Sequence, residues 1–566
     1  MMNFSMSSPY VEPGRALKVA ALACAVVAAA LWVGPCLLRA GLYANDAAQH
    51  TFWLYRYADP GLFPGDLTVR FFSLLSSAPW GYRTLYAALA PHIDVLLAAK
   101  VVAVLLVLSS VGLGWLLGRA LSPPAHRELG GLIAAAVTAW LIPQHADLLT
   151  PLGLQRSFAY PIVLLFLWAL IAQRYFWVGI AWLAAALFYP VIVVVLGLTG
   201  AIYFVWEMAS QRRLVPCAFW NIAAGLAALV IAAVSSSVPP DIGPALTGAQ
   251  ALAMPEFGFD GRLRLFEGNA VTDWVRSQLV GLGWTLGPLT LMALALALLV
   301  ALKKSTRVPR AAWLLLACGV GVWGAARLTL FKLYLPNRHS RWAIAAFGVV
   351  VLTVAAVAIF EWLLQRLSAR SAGISSTALT TVVGVLSVAI VAGAFAGPAW
   401  RQWQHPVDPD MERAYAYLAT LPRDALIAAH PDVADFVPLR ARRSVLASTE
   451  TSLPFMQGYY ARLKPRIEDS LRAAYAGSWD DLESVLAPYR VSAVLTAPQV
   501  WAQERYYEPF NSLVASLVAQ GRERGFVLRH PPADRILFQS GEVYVVRVDA
   551  PPTLNGGTPV PATGKN

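Results

Sequence analysis

A short run of acidic, basic and aromatic residues directly follows the first apolar segment of the chain. Asp46 and His50 are followed by Trp53 and Tyr57, at intervals of three or four residues. On a helix that begins near residue 45, these side chains share one face. A carboxylate or imidazole within reach of a hydroxyl is the usual general base, and aromatic rings suit the apolar faces of a sugar. The run therefore predicts a site that deprotonates a hydroxyl, with Asp46 and His50 as catalytic residues.

The same run has a purely structural interpretation, which the sequence leaves open. Asn45 or Asp46 can cap a helix, with Gln49 completing a pattern like a capping box. Trp53 and Tyr57 can belong to the aromatic belt at a membrane interface. On this interpretation the run positions a helix and does no chemistry.

A basic group occurs later in the chain and consists of Arg327, Lys332, Arg338, His339 and Arg341. Arg327 lies within an apolar run, and ionisable residues in such runs are functional candidates. Guanidinium groups bind phosphate through forked hydrogen bonds, so the predicted ligand is a lipid phosphate or pyrophosphate. Arg156, at the start of another apolar run, can join the group. The alternatives are contact with ordinary anionic phospholipid and snorkelling at the ends of spans.

The His, Asp and Cys residues of the chain show no spacing that indicates a metal site. His145 and Asp147 lie in one short turn and can bind a cation together with Asp46 or His50, but nothing in their spacing demands one. Three of the four cysteines lie within apolar runs and Cys36 lies near the end of one, so no disulfide framework is visible.

The composition excludes a water-soluble protein. Apolar residues make up 58% of the chain and charged residues 13%, whereas a soluble domain has about 25% charged residues. The net charge of +12 does not indicate nucleic acid, because the basic residues fall in short clusters between apolar runs. Such clusters mark the cytoplasmic side of a membrane protein.

Apolar runs of the length that crosses a bilayer, about 20 residues, occur near 17–38, 94–118, 129–146, 157–172, 217–235, 278–301, 311–331, 342–363 and 376–397. The run 176–206 would make a single helix about 46 Å long, against a hydrocarbon core of about 30 Å. Tyr189 precedes a proline near its middle, which disfavours helix there. Two passes in this run place the clusters of Arg and Lys on one side. We therefore predict eleven spans, with the N-terminus in the cytoplasm and the C-terminus outside.

This topology divides the chain into a cytoplasmic tail, 1–16, a transmembrane domain, 17–397, with outer loops 39–93 and 236–277, a periplasmic domain, 398–550, and a disordered tail, 551–566. Within 398–550, β-type runs near 425–428, 444–446, 491–496 and 542–548 alternate with helical stretches near 459–475 and 511–520. That alternation indicates a small α/β domain. Loop 236–277 reads as solvated. Arg440, Arg442 and Arg443 can bind a polymer, with a solvated surface as the alternative.

These features together resemble the GT-C superfamily of membrane glycosyltransferases. The resemblance covers most of the chain and includes two short stretches, Asn45 to Asp66 and Leu333 to Arg338, that are similar to those of uncharacterised bacterial members. It implies a polyprenyl-phosphate sugar as donor, and it places the essential Asp or Glu of the first outer loop at Asp46. Many members have two adjacent acids there. Here the neighbour is Asn45, so no cofactor is certain and a divalent cation stays open.

The resulting hypothesis is glycosyl transfer at the outer face of a bacterial inner membrane, from a polyprenyl-phosphate sugar to a glycan, lipid or protein acceptor. Asp46 and His50 would do the acid–base work and Asn45, Trp53, Arg56 and Tyr57 would line the substrate. The donor phosphate would be bound by Arg156, Arg327, Lys332, Arg338, His339 and Arg341. The partners would be the donor, the acceptor and membrane lipids, and no nucleic acid. The alternatives are a transporter or flippase, or a non-catalytic binding protein, for a lipid-linked saccharide.

Overall fold

The computed structural model describes residues 13–39, 41–42, 46–145, 147–212, 215–265, 286–368, 376–405 and 407–548. Asn45, which was predicted to line the substrate, lies outside the described residues, as do the tail 551–566 and most of the tail 1–16.

Long apolar helices form most of the chain before residue 405. Apolar runs become helices in a bilayer because every backbone polar group is then satisfied within its own segment. The helices of this part are α1 (Pro13–Leu38), α2 (Ala47–His50), α3 (Leu67–Phe72), α4 (Trp80–Leu89), α5 (Val95–Leu121), α6 (Arg127–Leu141), α7 (Ala159–Ile171), α8 (Tyr175–Phe188), α9 (Val193–Gln211), α10 (Ala218–Ser235), α11 (Gly248–Leu252), α12 (Leu286–Ala301), α13 (Arg310–Leu328), α14 (Asn337–Ser368) and α15 (Ser376–Gln404).

Each predicted span overlaps a helix, although residues 278–285 of the span 278–301 lie outside the described residues. In the described part of the chain, seven helices are long and apolar enough to cross a membrane, namely α1, α5, α9, α10, α13, α14 and α15. Three shorter apolar helices, α7, α8 and α12, accompany them, and α6 has 15 residues. The break before Pro190 is present, since α8 ends at Phe188 and α9 begins at Val193. The chain is therefore a multi-pass membrane protein.

The outer end of the bundle is defined as the end at which α1 and α6 terminate and α5 and α14 begin. The short helices α2, α3 and α4 lie at this end, after α1. The helix predicted from residue 45 through Tyr57 is shorter than expected. It ends at His50 and continues as a 3-10 helix, Phe52–Tyr57. Four consecutive residues from Phe52 to Tyr55 are buried, which the single apolar face of an amphipathic α-helix does not provide.

The C-terminal part of the chain is the predicted α/β unit. Its helices are α16 (Pro409–Leu418), α17 (Pro431–Ala434), α18 (Val437–Arg440), α19 (Gln457–Ala474), α20 (Trp479–Leu486) and α21 (Asn511–Arg524), and its strands are β1 (Leu426–Ala428), β2 (Ser444–Val445), β3 (Ala493–Thr496), β4 (Ile536–Ser540) and β5 (Val543–Val546). The strand order is β2-β1-β3-β5-β4. β1 pairs in parallel with β2 and β3, and β5 is antiparallel to β3 and β4.

The α/β unit packs directly on the segments that emerge from the outer end. The rings of Phe71 and Tyr459 stack with centroids 4.2 Å apart. Glu256, in the loop that was expected to be solvated, is 1% exposed and pairs with Lys464 at 3.1 Å. That expectation is wrong for Glu256, because α19 covers this part of the loop and supplies the compensating charge.

Candidate functional site at the outer end of the bundle

The turn between α6 and α7 is fixed by side chains and backbone from four helices. The indole nitrogens of Trp32 and Trp342 donate to the carbonyls of Leu149 and Leu148, at 2.8 and 3.1 Å. The hydroxyl of Tyr86 donates to the carbonyl of Gly153 at 2.7 Å, and the Gly153 amide donates to α5 at 2.7 Å. Because buried bonds hold the turn in one conformation, the side chains on it are preorganised.

Asp147, on this turn, binds three arginines. Its carboxylate lies 2.8 Å from Nη1 of Arg341, 3.0 Å from Nη2 of Arg156 and 3.4 Å from Nη1 of Arg338. Arg338 and Arg341 come from the first turn of α14, and Arg156 from the 3-10 helix before α7. Burial would raise the pKa of Asp147, but the charges of Arg338 and Arg341 outweigh that effect and hold the pKa below its ordinary value.

Asp46 joins the same cluster through Arg156. Its carboxylate forms an ion pair with Nη2 of Arg156. Although Asp46 occupies the N-cap position of α2, its side chain accepts no hydrogen bond from that helix. The Asp46 carboxylate therefore does not cap α2, in contrast to the capping interpretation. The first outer segment, the turn of Asp147 and the start of α14 meet at one place.

The cluster carries more positive than negative charge. Three guanidinium groups face two carboxylates, and the exposed fractions of the Arg341, Arg156 and Arg338 side chains are 3%, 9% and 14%. In the described part of the chain, the buried Nε of Arg156 has no hydrogen-bond partner. Burying a charge is unfavourable unless it is paired. The excess of one positive charge therefore favours an anionic ligand, and three bound guanidinium groups make the two carboxylates a poor set for a divalent cation.

Two histidines border the cluster in their neutral forms. Nδ1 of His50 lies 2.9 Å from the amide nitrogen of Gln155, which also donates to the Ser77 carbonyl at 2.7 Å. Because an amide NH₂ only donates, Nδ1 of His50 is the acceptor. Burial, and then the charge of Arg338, lower the pKa of His50 to about 3. Burial, with the charge of Arg341, lowers the pKa of His145 to about 4.

The predicted substrate-lining residues after His50 are distributed over different environments. Trp53 is buried and meets the ring of Tyr57 edge-on, with centroids 6.0 Å apart. The Tyr57 hydroxyl accepts a hydrogen bond from Nε of Arg83 at 3.4 Å. Arg56 is exposed. The 3-10 helix turns these side chains differently from the single α-helical face that was expected, and their contact with a substrate stays a prediction.

The remaining members of the predicted basic group have other contacts. Nη2 of Arg327 donates to the carbonyl of Leu265 at 3.2 Å. Lys332 is exposed. Nε2 of His339 lies 2.7 Å from the carbonyl of Leu333, so this buried side chain holds the loop before α14. The structure thus brings Asp46, Arg156, Arg338 and Arg341 together around Asp147, and it gives Arg327 and His339 backbone partners.

Asp147 is the residue that the sequence interpretation undervalued. It was considered only as an optional cation ligand. A usable signal is present, because Asp147 is the one acidic residue between Glu128 and Glu207, and a lone acid among apolar spans requires a partner. Among the described residues, no group of three or more His, Cys, Asp or Glu side chains is placed to hold a metal ion.

No family model matches the chain, and no curated protein does. Solved structures of the oligosaccharyltransferase of Archaeoglobus fulgidus are similar to it. The complex with zinc and sulfate matches at 12% identity over 88% of this chain and 70% of that one, with a TM-score of 0.44. The apo form matches at 11% identity over 88% and 72%, with a TM-score of 0.47. AglB in complex with an inhibitory peptide and a dolichol-phosphate matches at 11% identity over 88% and 72%, with a TM-score of 0.46.

The resemblance to the GT-C superfamily rests on the sequence features given above. Since the TM-scores lie below 0.5, the similarity carries nothing about the activity of this chain.

Proposed function

We propose that the chain transfers a sugar from a polyprenyl-phosphate donor to an extracytoplasmic acceptor at the outer face of a bacterial inner membrane. One observation carries the proposal: in the described part of the chain, the cluster at the outer end of the bundle holds three arginines, two of them buried, and two carboxylates, an excess of one positive charge. A phosphate group supplies the missing negative charge and accepts forked hydrogen bonds from guanidinium groups. A carboxylate beside it supplies a base for a hydroxyl.

The proposed reaction is a single displacement. The acceptor oxygen forms a bond to the anomeric carbon of the sugar while the bond from that carbon to the phosphate oxygen breaks. The acceptor proton goes to the Asp46 carboxylate, and the lipid phosphate leaves with the bonding electron pair. Arg338 and Arg341 stabilise the charge on the departing phosphate. One displacement of this kind inverts the anomeric centre.

Arg156 couples the two halves of this reaction. Its guanidinium contacts both Asp46 and Asp147, so a phosphate that draws it away from Asp46 leaves that carboxylate with a stronger tendency to accept a proton. His50 is a poor proton acceptor, because burial and the charge of Arg338 lower its pKa to about 3. We assign His50 the role of fixing Gln155, the neighbour of Arg156. Contact of Arg327, Lys332 and His339 with the donor phosphate stays a prediction.

The test is an Asp46→Asn protein assayed with a polyprenyl phosphate that carries a radiolabelled hexose. With a cell-envelope extract as the source of acceptor, we expect transfer to fall by about a hundredfold or more, the usual contribution of a general base. The matched control is Asp260→Asn, which removes another carboxylate that pairs with an arginine, at 2.8 Å. Full transfer by the Asp46→Asn protein would contradict the proposed chemistry.

A parallel measurement in vesicles separates transfer from transport. We expect the labelled donor to be consumed without crossing the bilayer. If the purified chain moves the intact donor across the bilayer and no sugar–phosphate bond breaks, the chain is a transporter and the proposal fails.

A further inference from the structure

A second basic site lies where the 3-10 helix Phe52–Tyr57 and the segment after it meet the α/β unit. A cleft of about 380 Å³ is lined by Arg423, Arg440, Arg442 and Arg443 and by Asp59. None of these side chains belongs to the cluster around Asp147. The cleft is therefore separate from the site of the proposed reaction, and a ligand could bind there whether or not the chain transfers a sugar.

Carboxylates compensate the charge of this cleft only in part. Arg423 pairs with Asp59 at 3.1 Å and Arg442 pairs with Asp94 at 3.4 Å, and Arg440 pairs with Glu412. These three acids would compete with an anion for the arginines.

Arg443 is the fourth basic member and its partners carry no full charge. Its guanidinium donates to backbone carbonyls, including that of Ala419 at 2.6 Å and that of Arg442 at 2.9 Å. Its exposed fraction is 7%. Because carbonyl oxygens satisfy hydrogen bonds without neutralising a guanidinium charge, the four arginines keep one positive charge in excess of the three carboxylates.

The position of the cleft relative to the bundle indicates where its ligand comes from. Asp94, the partner of Arg442, is the N-cap of α5 and marks the outer end of that span. Glu412, the partner of Arg440, lies close to Gly41, just after the end of α1, because a Cβ on Gly41 would be 3.0 Å from its carboxylate. We therefore expect the wall of the cleft to lie near the depth of lipid headgroups.

Lys100 supplies an independent indication of an anion at this place. It lies in the second turn of α5, inside the span, and is 8% exposed. Arg440, which lines the cleft, and Asp94 are close enough to act electrostatically on its ammonium group. Its neighbours Leu97 and Val101 are each 43% exposed, and we expect these apolar side chains to face lipid. Ionisable residues within spans mark ligand sites by default, and basic pockets at this depth bind headgroups.

We propose that the cleft binds the phosphate group of an anionic lipid in the outer leaflet. Arg423 and Arg442 contact the phosphate from the α/β unit, and Lys100 attracts it from the bundle side. A bound lipid would fasten the α/β unit to the membrane surface.

The experiment titrates the purified full chain with phosphatidylglycerol, phosphatidylcholine and inorganic phosphate, and counts bound lipid by native mass spectrometry. We expect phosphatidylglycerol to bind more tightly than phosphatidylcholine. Arg423→Gln and Arg442→Gln should each weaken phosphatidylglycerol about fivefold, the fold-change for ~1 kcal/mol per basic side chain at a membrane surface. Lys100→Met should also weaken the binding of phosphatidylglycerol.

Matched controls separate the cleft from general charge effects. Arg505→Gln breaks an exposed pair with Asp260 that resembles the Arg423–Asp59 pair, with arginine side chains 67% and 65% exposed, and it should leave binding unchanged. Equal binding by the wild-type chain and Arg423→Gln would overturn the proposal. If inorganic phosphate binds as tightly as phosphatidylglycerol, the proposal that the phosphate group belongs to a lipid is wrong.

Discussion

Arg156 shares one guanidinium group between two acids that are far apart in the chain. Asp46 follows the first span, and Asp147 lies on the turn before α7. Each ion pair is partly buried, and a buried charge that loses its partner costs about 3–5 kcal/mol. The three residues therefore stabilise one another's positions, so the site is arranged before any ligand arrives.

The neutral state of His50 gives a testable pH dependence. The pKa of His50 is lowered to about 3 in the folded chain, whereas an unfolded histidine has a pKa of about 6.5. Between these values the unfolded state binds more protons, so the contribution of His50 to stability is fully present above about pH 6.5 and falls by about 1.4 kcal/mol per pH unit as the pH decreases. We expect His50→Gln to reduce this slope in thermal unfolding experiments in detergent.

The exposed histidine His92 provides the control for that measurement. The same slope should be seen in His92→Asn as in the wild-type chain. His145, whose pKa is lowered to about 4, adds to the slope in the same direction and is present in both variants. An identical pH dependence in His50→Gln and the wild-type chain would show that His50 is not held neutral.

At the scale of residues, the sequence predicts the participants better than their contacts. Asp46, Arg156, Arg338 and Arg341 were identified from chemistry and position relative to the spans. The central role of Asp147 was missed, because a turn of a few residues gives no periodic pattern from which a direction can be deduced. Arg327 has the same chemistry as Arg338, yet it donates to the Leu265 carbonyl, and one sequence does not contain the packing that separates them.

The element that determines the geometry of the site is the turn between α6 and α7. Gly153 allows the closest approach there, since an added Cβ would lie 2.5 Å from Val102 and 2.8 Å from the Tyr86 hydroxyl. Gly153→Ala should therefore displace the turn and Asp147 with it. We expect a loss of about 1–3 kcal/mol, typical of overpacking, together with slower transfer, measured by thermal unfolding and by the radiolabelled donor.

Gly112→Ala is the corresponding control, because Gly112 lies in α5, against which Gly153 packs, and nothing is within 4 Å of its added Cβ. It should leave both measurements close to the wild-type values. If Gly153→Ala behaves like Gly112→Ala, the turn adapts easily and does not preorganise Asp147.

At the scale of elements, apolar length and proline position predicted the helices well. The break at Tyr189 followed from the proline after it and from a run too long for one pass. The change to a 3-10 helix at Phe52 did not follow, because burial on several sides comes from tertiary neighbours. β4 (Ile536–Ser540) was also missed. Of its five residues only Ser540 is buried, and the segment lacks the strict alternation of apolar and polar residues that identifies a strand.

The whole molecule places its α/β unit against the same outer segment that carries Asp46. The side-chain amide of Gln49, in α2, donates to Glu450 of the α/β unit at 2.7 Å. Nη2 of Arg262, in the second outer loop, reaches the same carboxylate at 3.4 Å. Because α2 also carries His50, a shift of the α/β unit would displace α2 and therefore His50. The unit and both outer loops therefore need to be on one side of the membrane.

The side of the membrane on which the α/β unit and the Asp46 cluster lie follows from the orientation of the first span, because Asp46 directly follows α1. With two passes and a cytoplasmic N-terminus, Cys217 at the start of α10 faces the cytoplasm and the α/β unit lies outside. Cys217 is the exposed one of the four cysteines, so it reports on its own side.

We expect a membrane-impermeant maleimide to label wild-type Cys217 only after intact cells are permeabilised. Ser512→Cys in a Cys217→Ser background, on the exposed side of α21, should be labelled without permeabilisation. The inverted orientation, with the N-terminus outside, predicts the reverse for both reporters. That result would place the α/β unit, and the Asp46 cluster that packs with it, on the cytoplasmic side of the bilayer, where a polyprenyl-phosphate donor used outside the cytoplasm could not reach them.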